Sequence, residues 1–558
     1  MKSATTNKIR KLLAIVLVTL LALTPLSLLS LAADDVDLSG ATSFVFSDSA
    51  ITVTEGSYTG YKVAGTALTI NKAGTYVVSG SCANGAIVVK KNTTDVTLVL
   101  NGLTLTASAT APITCNKGSS VTILAAAGSV NNLADDKYNN DDYNDDTVYT
   151  DIENAVIKCK DGSNVTIGGT GTINVNAYGK NGVKGGADLY EEDADGNYTD
   201  VLLSTASLTI QDVTLNVSIK HSYKDPEDSS SYDGDAIKAE KELNILSGNI
   251  TVSANDDGIK CDYTLNIGTE GTAGPTIKVT KATEGIEGSV VNVYSGNVYV
   301  TASDDGINAA NGDIADRSTQ FSYNQYGGYV YINVTNGDGL DSNGSATLKG
   351  GTLEIYAPSQ GDGDPIDTEY GCTFSGATVL GVGHAMMQQS YSGTYVTFGS
   401  ASGSMGGGFG GRFAPGMGGN NGSTVVSAGT AIAIKDSSGN VIYTAQSTAP
   451  RAASYVVFAS PSISSSGTYT LAAGSSSSSG SATTGSGTGG QPGQPGGPGQ
   501  GGQQPGGGQP GGGQPGGGNW GGSSSGSSDS YSFSFSFLSE FLQKIVDFFT
   551  NLFTLNFG

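Results

Sequence analysis

The sequence predicts an all-β chain: a right-handed parallel β-helix (solenoid) with a small C-terminal β module, a disordered linker and a terminal amphipathic helix. Three observations carry this expectation. First, a short phrase returns along the chain: an acidic residue, a glycine, an aliphatic residue, then Lys, Asn, Asp or Glu. It reads Asp233-Gly234-Asp235-Ala236-Ile237-Lys238, Asp256-Asp257-Gly258-Ile259-Lys260, Glu284-Gly285-Ile286-Glu287, Asp304-Asp305-Gly306-Ile307-Asn308, Asp338-Gly339-Leu340-Asp341 and Asp362-Gly363-Asp364-Pro365-Ile366-Asp367. Its aliphatic residues stand at 237, 259, 286, 307, 340 and 366, in steps of 22, 27, 21, 33 and 26 residues. A loose period of this size marks stacked repeats. Second, the sequence between these positions alternates apolar and polar residues in short runs, such as Asn249-Ile250-Thr251-Val252 and Tyr329-Val330-Tyr331-Ile332-Asn333-Val334. The runs are β-branched or aromatic and end at Gly, Asn or Asp, which is the pattern of half-buried strands. Third, no helical periodicity occurs between 34 and 530.

Residues 1–33 read as a secretory signal peptide. Lys2, Lys8, Arg10 and Lys11 precede an apolar stretch from Leu12 to Leu31, with small residues at a cleavage position near Ala33. An uncleaved membrane anchor is the competing reading. Residues 34–400 form the predicted β-helix, of about ten to eleven turns. Weaker copies of the phrase extend it upstream around Ile87, Ile113, Ile157 and Val183. The step from 113 to 157 reads as one turn plus an insertion, and that from 183 to 237 as two turns. Residues 401–422 are a Gly- and Met-rich loop. Residues 423–473 are a small β module that caps the β-helix or stands apart as a sandwich. Residues 474–530 are a Ser/Gly/Gln/Pro linker without core-forming residues. In 531–558, Phe537, Phe541, Ile545, Phe548, Phe549 and Leu552 share one helical face opposite Glu540, Lys544 and Asp547. Such a helix suits a membrane surface or a protein partner, or folds back on the β-helix.

Composition narrows the chemistry. The chain carries 27 basic and 50 acidic residues, a net charge of −23, which argues against nucleic acid as a partner. Two histidines, His221 and His384, lie in different segments, so a zinc enzyme or a histidine-based triad is not indicated. The five cysteines, Cys82, Cys115, Cys159, Cys261 and Cys372, are odd in number and form no CxxC pair. Buried thiols in the core are the expectation. Cys115 and Cys159 sit two residues past their anchors, which leaves one disulfide between adjacent turns open.

The phrase puts carboxylates at the same place in each turn, so stacking lines them along one edge. Adjacent strands lie about 4.8 Å apart, and unpaired carboxylates that close repel. Ca2+ takes six to eight oxygens and relieves that repulsion. The expected metal ligands are Asp235, Asp256, Asp257, Glu284, Asp304, Asp305 and Asp338. The alternative is a solvated acidic edge, with Asp and Asn chosen for turn geometry. A second acidic group, Asp135, Asp136, Asp141, Asp142, Asp145 and Asp146, lacks regular spacing and reads as solvated. Lysines follow the anchors at Lys158, Lys184, Lys238 and Lys260. They would form a basic row beside the acidic one, pairing with it or holding an acidic sugar. Lys184, Lys238 and Lys260 are the candidate carbohydrate-binding residues. Tyr223, Tyr232, Tyr263, Tyr326 and Tyr329 offer faces for sugar rings or serve as packing residues.

At these residues the chain resembles the secreted bacterial carbohydrate-binding family with a right-handed parallel β-helix related to the family 9 polysaccharide lyases. The likeness rests on the order and joint occurrence of the phrases from Asp235 to Gly344 and covers roughly 40–470. It implies Ca2+ binding and attachment to plant-type polysaccharides such as cellulose or pectic acids, without demonstrated cleavage. The expected function is therefore a secreted or cell-surface, calcium-dependent, non-catalytic polysaccharide-binding protein. The alternatives are a calcium-dependent lyase with Lys238 or Lys260 as base and a structural adhesion protein.

Overall fold

The computed structural model describes residues 38–486, apart from 145–147, 188–189, 193–197, 203, 225–232, 312–320, 361–362, 386–388, 400–422 and 475. The expected signal peptide, the Gly- and Met-rich loop, most of the linker and the terminal helix lie outside the described residues. Every regular element among those described is a strand.

The strands stack as three parallel columns. In the first, Leu68, Ile87, Ile113, Ile157, Val183, Ile237, Ile259, Ile286, Ile307 and Leu340 pair one after another in parallel register. A parallel bridge adds Ile366 beyond Leu340. All eleven side chains are 0% exposed. Inward residues of the second column, such as Leu208, Leu243, Leu265 and Val291, are likewise aligned and buried. So are Leu215, Ile250, Ile277, Val298, Val330 and Leu353 of the third. The three inward rows merge into one apolar core, because a period-two strand buries alternate side chains on a single face. Polar ladders run outside. The Asn216 amide donates to Asn174 at 2.9 Å and Asn174 to Asn132 at 2.9 Å. A second ladder links Asn324, Asn292, Asn266 and Asn244 at 3.2, 3.0 and 2.9 Å.

The glycine of the phrase has a steric cause. A Cβ on Gly285 would lie 2.1 Å from Val300 Cγ1 and 2.4 Å from the Gly306 carbonyl, and one on Gly306 would lie 2.2 Å from Ile332 Cγ2. The chain there is pinched between the next turn's backbone and the third column, which is why glycine precedes the anchors Ile259, Ile286, Ile307 and Leu340.

Two expectations change. Val183 pairs directly with Ile237, so the 54-residue step is one turn with insertions, not two turns. One insertion contains the hairpin Tyr190–Glu192 with Tyr198–Leu202, and another follows Ile219. Turns can lengthen this way because loop closure costs grow only slowly with length. The linker also begins later than residue 474. Ser476–Ser481 pairs antiparallel with Thr468–Ala473, and Thr483–Ser486 with the Ser392–Tyr395 part of Tyr391–Gly399. Backbone hydrogen bonds suffice for such edge strands, so the lack of apolar residues does not forbid them.

The C-terminal module caps the stack. Tyr455–Ala459 runs antiparallel to both Thr378–Gly383 and Tyr391–Gly399, and the module packs a second apolar cluster. Glu354, fully buried, accepts hydrogen bonds from Tyr329 Oη at 3.0 Å, Tyr443 Oη at 2.5 Å and the Gln446 amide at 2.8 Å. All five cysteines are free and buried. Cys115 and Cys159 are register partners but are not bonded to each other. A hydrogen bond with the Cys159 thiol, then burial, hold the Cys115 thiol well above its usual range.

Candidate functional site

The turns from the third column to the first carry the acids of the phrase. Their first duty is structural. The Asp235 amide donates to Asn181 Oδ1 at 2.9 Å, the Asp257 amide to Asp235 Oδ1 at 3.2 Å, and the Asp338 amide to Asp305 Oδ1 at 2.5 Å. The Asp364 amide likewise donates to Asp338 Oδ1. Each side chain thus receives the backbone N–H of the equivalent position one turn on. Asn181 does this without a charge, so the amide ladder does not require carboxylates.

The charges gather in three groups whose ligand atoms lie within 4.8 Å of one another: Asp235, Asp256 and Asp257; Asp257, Glu284 and Glu287; and Asp338, Asp341 and Asp367. The first two groups share Asp257. Burial, then Asp257 and Asp235, raise the Asp256 carboxyl to about 9. Burial, then Asp257 and Asp305, hold Glu284 well above the usual range. Asp338 rises to about 8 through burial and the Asp305, Asp367 and Asp341 charges, and Asp341 to about 7 through burial, Asp305 and Asp367. Protons are retained there because burial and the crowding of carboxylates outweigh the nearby positive charge, that of Lys260 included.

Of the expected metal ligands, Asp235, Asp256, Asp257, Glu284 and Asp338 fall in these groups, whereas Asp304 and Asp305 do not. Asp304 is exposed at the corner. The sequence reading missed Glu287, Asp341 and Asp367. They occupy the slot just after the anchor, where the residue turns outward beside the corner. That slot holds Lys158, Lys184, Lys238 and Lys260 in register on earlier turns, then Glu287, Asn308 and Asp341. The change from lysine to acid at a fixed slot was the available signal.

The lysine row is largely committed. Lys260 lies 3.0 Å from Asp257 and 2.6 Å from Glu287. Burial pulls its ammonium down, but Asp257, Glu287 and Asp235 outweigh that and raise it well above the ordinary lysine range. Lys184 lies 3.5 Å from the fully buried Glu240. Lys238 stands between them in register. Lys158 differs: burial, with Lys184 as neighbour, lowers it to about 8, and its Nζ donates to the Gly186 carbonyl at 3.2 Å.

The tyrosines fall in different surroundings. Tyr329 is buried on Glu354. Tyr326 stacks on Tyr294 at 4.9 Å beneath Lys349, and Tyr263 lies beneath Lys241. Tyr232 lies outside the described residues.

The third acidic group has no ammonium partner among the described residues. Gln389 Nε2 donates to Asp367 Oδ1 at 3.0 Å and to Asp364 Oδ2 at 3.2 Å. Beside the second group, Asn308 donates its amide to Glu284 Oε2 at 3.0 Å while its buried Oδ1 accepts nothing from the described residues. Oxygen-only donors in excess of local positive charge suit a hard divalent cation.

Residues 64–197 match the model of a family described as "carbohydrate-binding domain-containing protein". No curated protein matches the chain. A solved structure, that of a polysaccharide lyase-like protein from C. thermocellum in a gadolinium derivative, is similar at 21% identity, over 61% of this chain and 96% of that one, with a TM-score of 0.32. Within 64–197, then, the chain is similar to carbohydrate-binding domains.

Proposed function

We propose that the chain is a secreted, non-catalytic polysaccharide-binding protein in which Ca2+ on the carboxylate edge joins protein to glycan. The observation that carries this reading is the surplus of charge at the edge. Asn181 performs the ladder's hydrogen bonding without a carboxylate, yet later turns place carboxylates in groups with raised pKa. Asp338, Asp341 and Asp367 would hold one ion, and Asp235, Asp256 and Asp257 another; Glu284 with Asn308 Oδ1 extends the row. Lys260 already neutralises part of the middle group, so that group is the weakest of the three. Bound Ca2+ would supply positive charge and open coordination positions for glycan oxygens. The match of 64–197 to carbohydrate-binding domains supports the partner class. The signal-peptide reading of 1–33 supports secretion, and the motif resemblance supports the relation to family 9 lyases. A right-handed parallel β-helix is the expected coil, since crossover connections between parallel strands are right-handed in about 98% of cases. The segment 531–558 would add a membrane surface or protein partner.

One observation bears on the lyase reading. A base should have a pKa near the working pH. Lys260, held by two carboxylates, is poorly suited, whereas burial lowers Lys158 toward neutrality. A glycan array read with and without chelator tests the proposal, alongside ultraviolet absorbance of polygalacturonate incubations. Calcium-dependent retention without growth of absorbance is expected. Steady growth abolished by Lys158→Ala would establish a lyase, and absence of retention on every glycan would sink the reading.

A further inference from the structure

Upstream of the carboxylate groups, on the same edge, an open cavity of about 520 Å³ is lined by Asp135, Asp136, Lys137, Tyr178, Lys220, His221, Ser222 and Tyr223. Its size lies within the usual range for small-molecule sites, about 300–1,000 Å³. It is built where the insertion after Ala134 folds over the turns that follow Ala177 and Ile219.

The two aspartates are spent on structure. Asp135, expected to be solvated, is only 2% exposed. Its Oδ1 accepts the Tyr178 and Gly179 amides at 2.6 and 3.1 Å, and its Oδ2 the Asn139 side chain at 2.9 Å. Asp136 accepts the Ala109 and Tyr138 amides, each at 3.0 Å, and Ser108 Oγ at 2.6 Å. His221 is spent too. Its Nε2 donates to the Lys180 carbonyl at 2.9 Å, and its Nδ1 accepts the Tyr223 amide at 3.3 Å. That pattern requires the neutral ring, in keeping with burial lowering its pKa.

What the cavity offers a ligand is therefore the Tyr178 face, the side of an aromatic stack, and ammonium groups. Tyr143, Tyr223 and His221 form a three-ring stack, with centroids 4.5 and 4.9 Å apart. Tyr178 is 46% exposed, although its backbone is clamped by Asp135. Lys137 and Lys220 are exposed. A half-exposed tyrosine on a fixed backbone is an odd use of a large apolar face in a chain of charge −23, as are two lysines beside it. The C–H face of a pyranose ring is attracted to the electron-rich face of an aromatic ring, and ammonium groups serve sugar oxygens, carboxylates above all.

We infer that this cavity is a second glycan-binding subsite, taking a pyranose unit on Tyr178 and the Tyr223–His221 wall, favouring one with a carboxylate, and working without a divalent cation. It rests on the polysaccharide-binding reading but not on the carboxylate groups, and half of its lining, Asp135, Asp136, Lys137 and Tyr178, lies within 64–197.

The test is calorimetry of the full chain in EDTA, with hexagalacturonate and with cellohexaose. Hexagalacturonate should bind, and more tightly than cellohexaose. Tyr178→Ala should weaken binding about five- to ten-fold, the contribution of one stacked ring. Tyr178→Phe, which keeps the stacked ring, should retain it. Lys220→Gln should remove the preference for the acidic oligosaccharide. Unchanged melting of the variants shows that they fold. Absence of binding in EDTA, or binding indifferent to Tyr178→Ala, overturns the subsite; if calcium-dependent retention persists in that case, the polysaccharide reading survives. Equal binding of the two oligosaccharides, unaffected by Lys220→Gln, overturns the preference for a carboxylate. Loss of retention under all conditions overturns both readings.

Discussion

Replacing Asp338 by Asn should stabilise the protein in chelator and weaken its response to Ca2+. The carboxylates of Asp338, Asp341 and Asp367 have oxygens within 4.8 Å of one another. At an effective dielectric constant of about 20, two charges that far apart repel by roughly 3.5 kcal/mol. The group is partly exposed, so screening reduces the net to about 1–2 kcal/mol. Asn keeps the Oδ1 that accepts the Asp364 amide and removes the charge. The pH dependence follows from the raised values of about 8 for Asp338 and about 7 for Asp341. Between the unfolded value, about 3.9, and these, the folded chain holds protons that the unfolded chain has released. In chelator this group therefore costs stability as pH rises from about 4 to about 8. Urea denaturation at pH 5 and pH 8.5, in EDTA and in millimolar Ca2+, reads all of this. At pH 8.5 in EDTA, Asp338→Asn should gain about 1–2 kcal/mol over the parent; at pH 5 the gain should shrink. Ca2+ should raise the parent's midpoint by mass action and the variant's by less. A variant destabilised equally at both pH values, with an unchanged calcium response, would refute this reasoning.

Other perturbations probe the fold. Gly285→Ala puts a Cβ 2.1 Å from Val300 Cγ1 and should cost at least about 1–3 kcal/mol, whereas Lys278→Ala, exposed on the third column, should stay within about 0.5 kcal/mol; equal denaturation midpoints would count against the steric origin of the phrase. Glu354→Ala strands the buried Tyr329 hydroxyl and two part-buried donors, on Tyr443 and Gln446, and should cost about 2–4 kcal/mol, seen as faster proteolysis within 423–473; unchanged protection would mean that this carboxylate does not fasten the module. A thiol reagent should find no reactive cysteine in the native protein and five after denaturation; rapid native labelling would contradict the buried thiols.

The ladder from Ile87 to Ile366 was legible because a parallel stack turns a spacing in sequence into a contact in space. Leu68 escaped notice because its turn lacks the phrase. The carboxylates of the corners were legible for the same reason as the anchors. Glu287, Asp341 and Asp367 were not named as ligands, because reading them requires knowing that the slot after the anchor faces outward beside the corner acid of its own and the next turn. Asp135 was misread as solvated. Its sequence neighbours are polar, and only the fold shows that its partners are the Tyr178 and Gly179 amides, more than forty residues away. The 54-residue step was misread because insertion length carries no information about turn count. The asparagine ladders and the strands within 476–486 depend on backbone and amide pairing across turns, which no local pattern reveals.

The most direct measurement is the mutual dependence of cation and glycan binding. Ca2+ should be titrated calorimetrically into the full chain with and without saturating oligogalacturonate, and the oligosaccharide with and without saturating Ca2+. If the ion joins protein to glycan, each tightens the other by the same factor, as linkage demands, and Asp338→Asn reduces that factor. Ca2+ that fails to bind, or that binds with an affinity indifferent to the glycan, would contradict the calcium-bridged carboxylate edge.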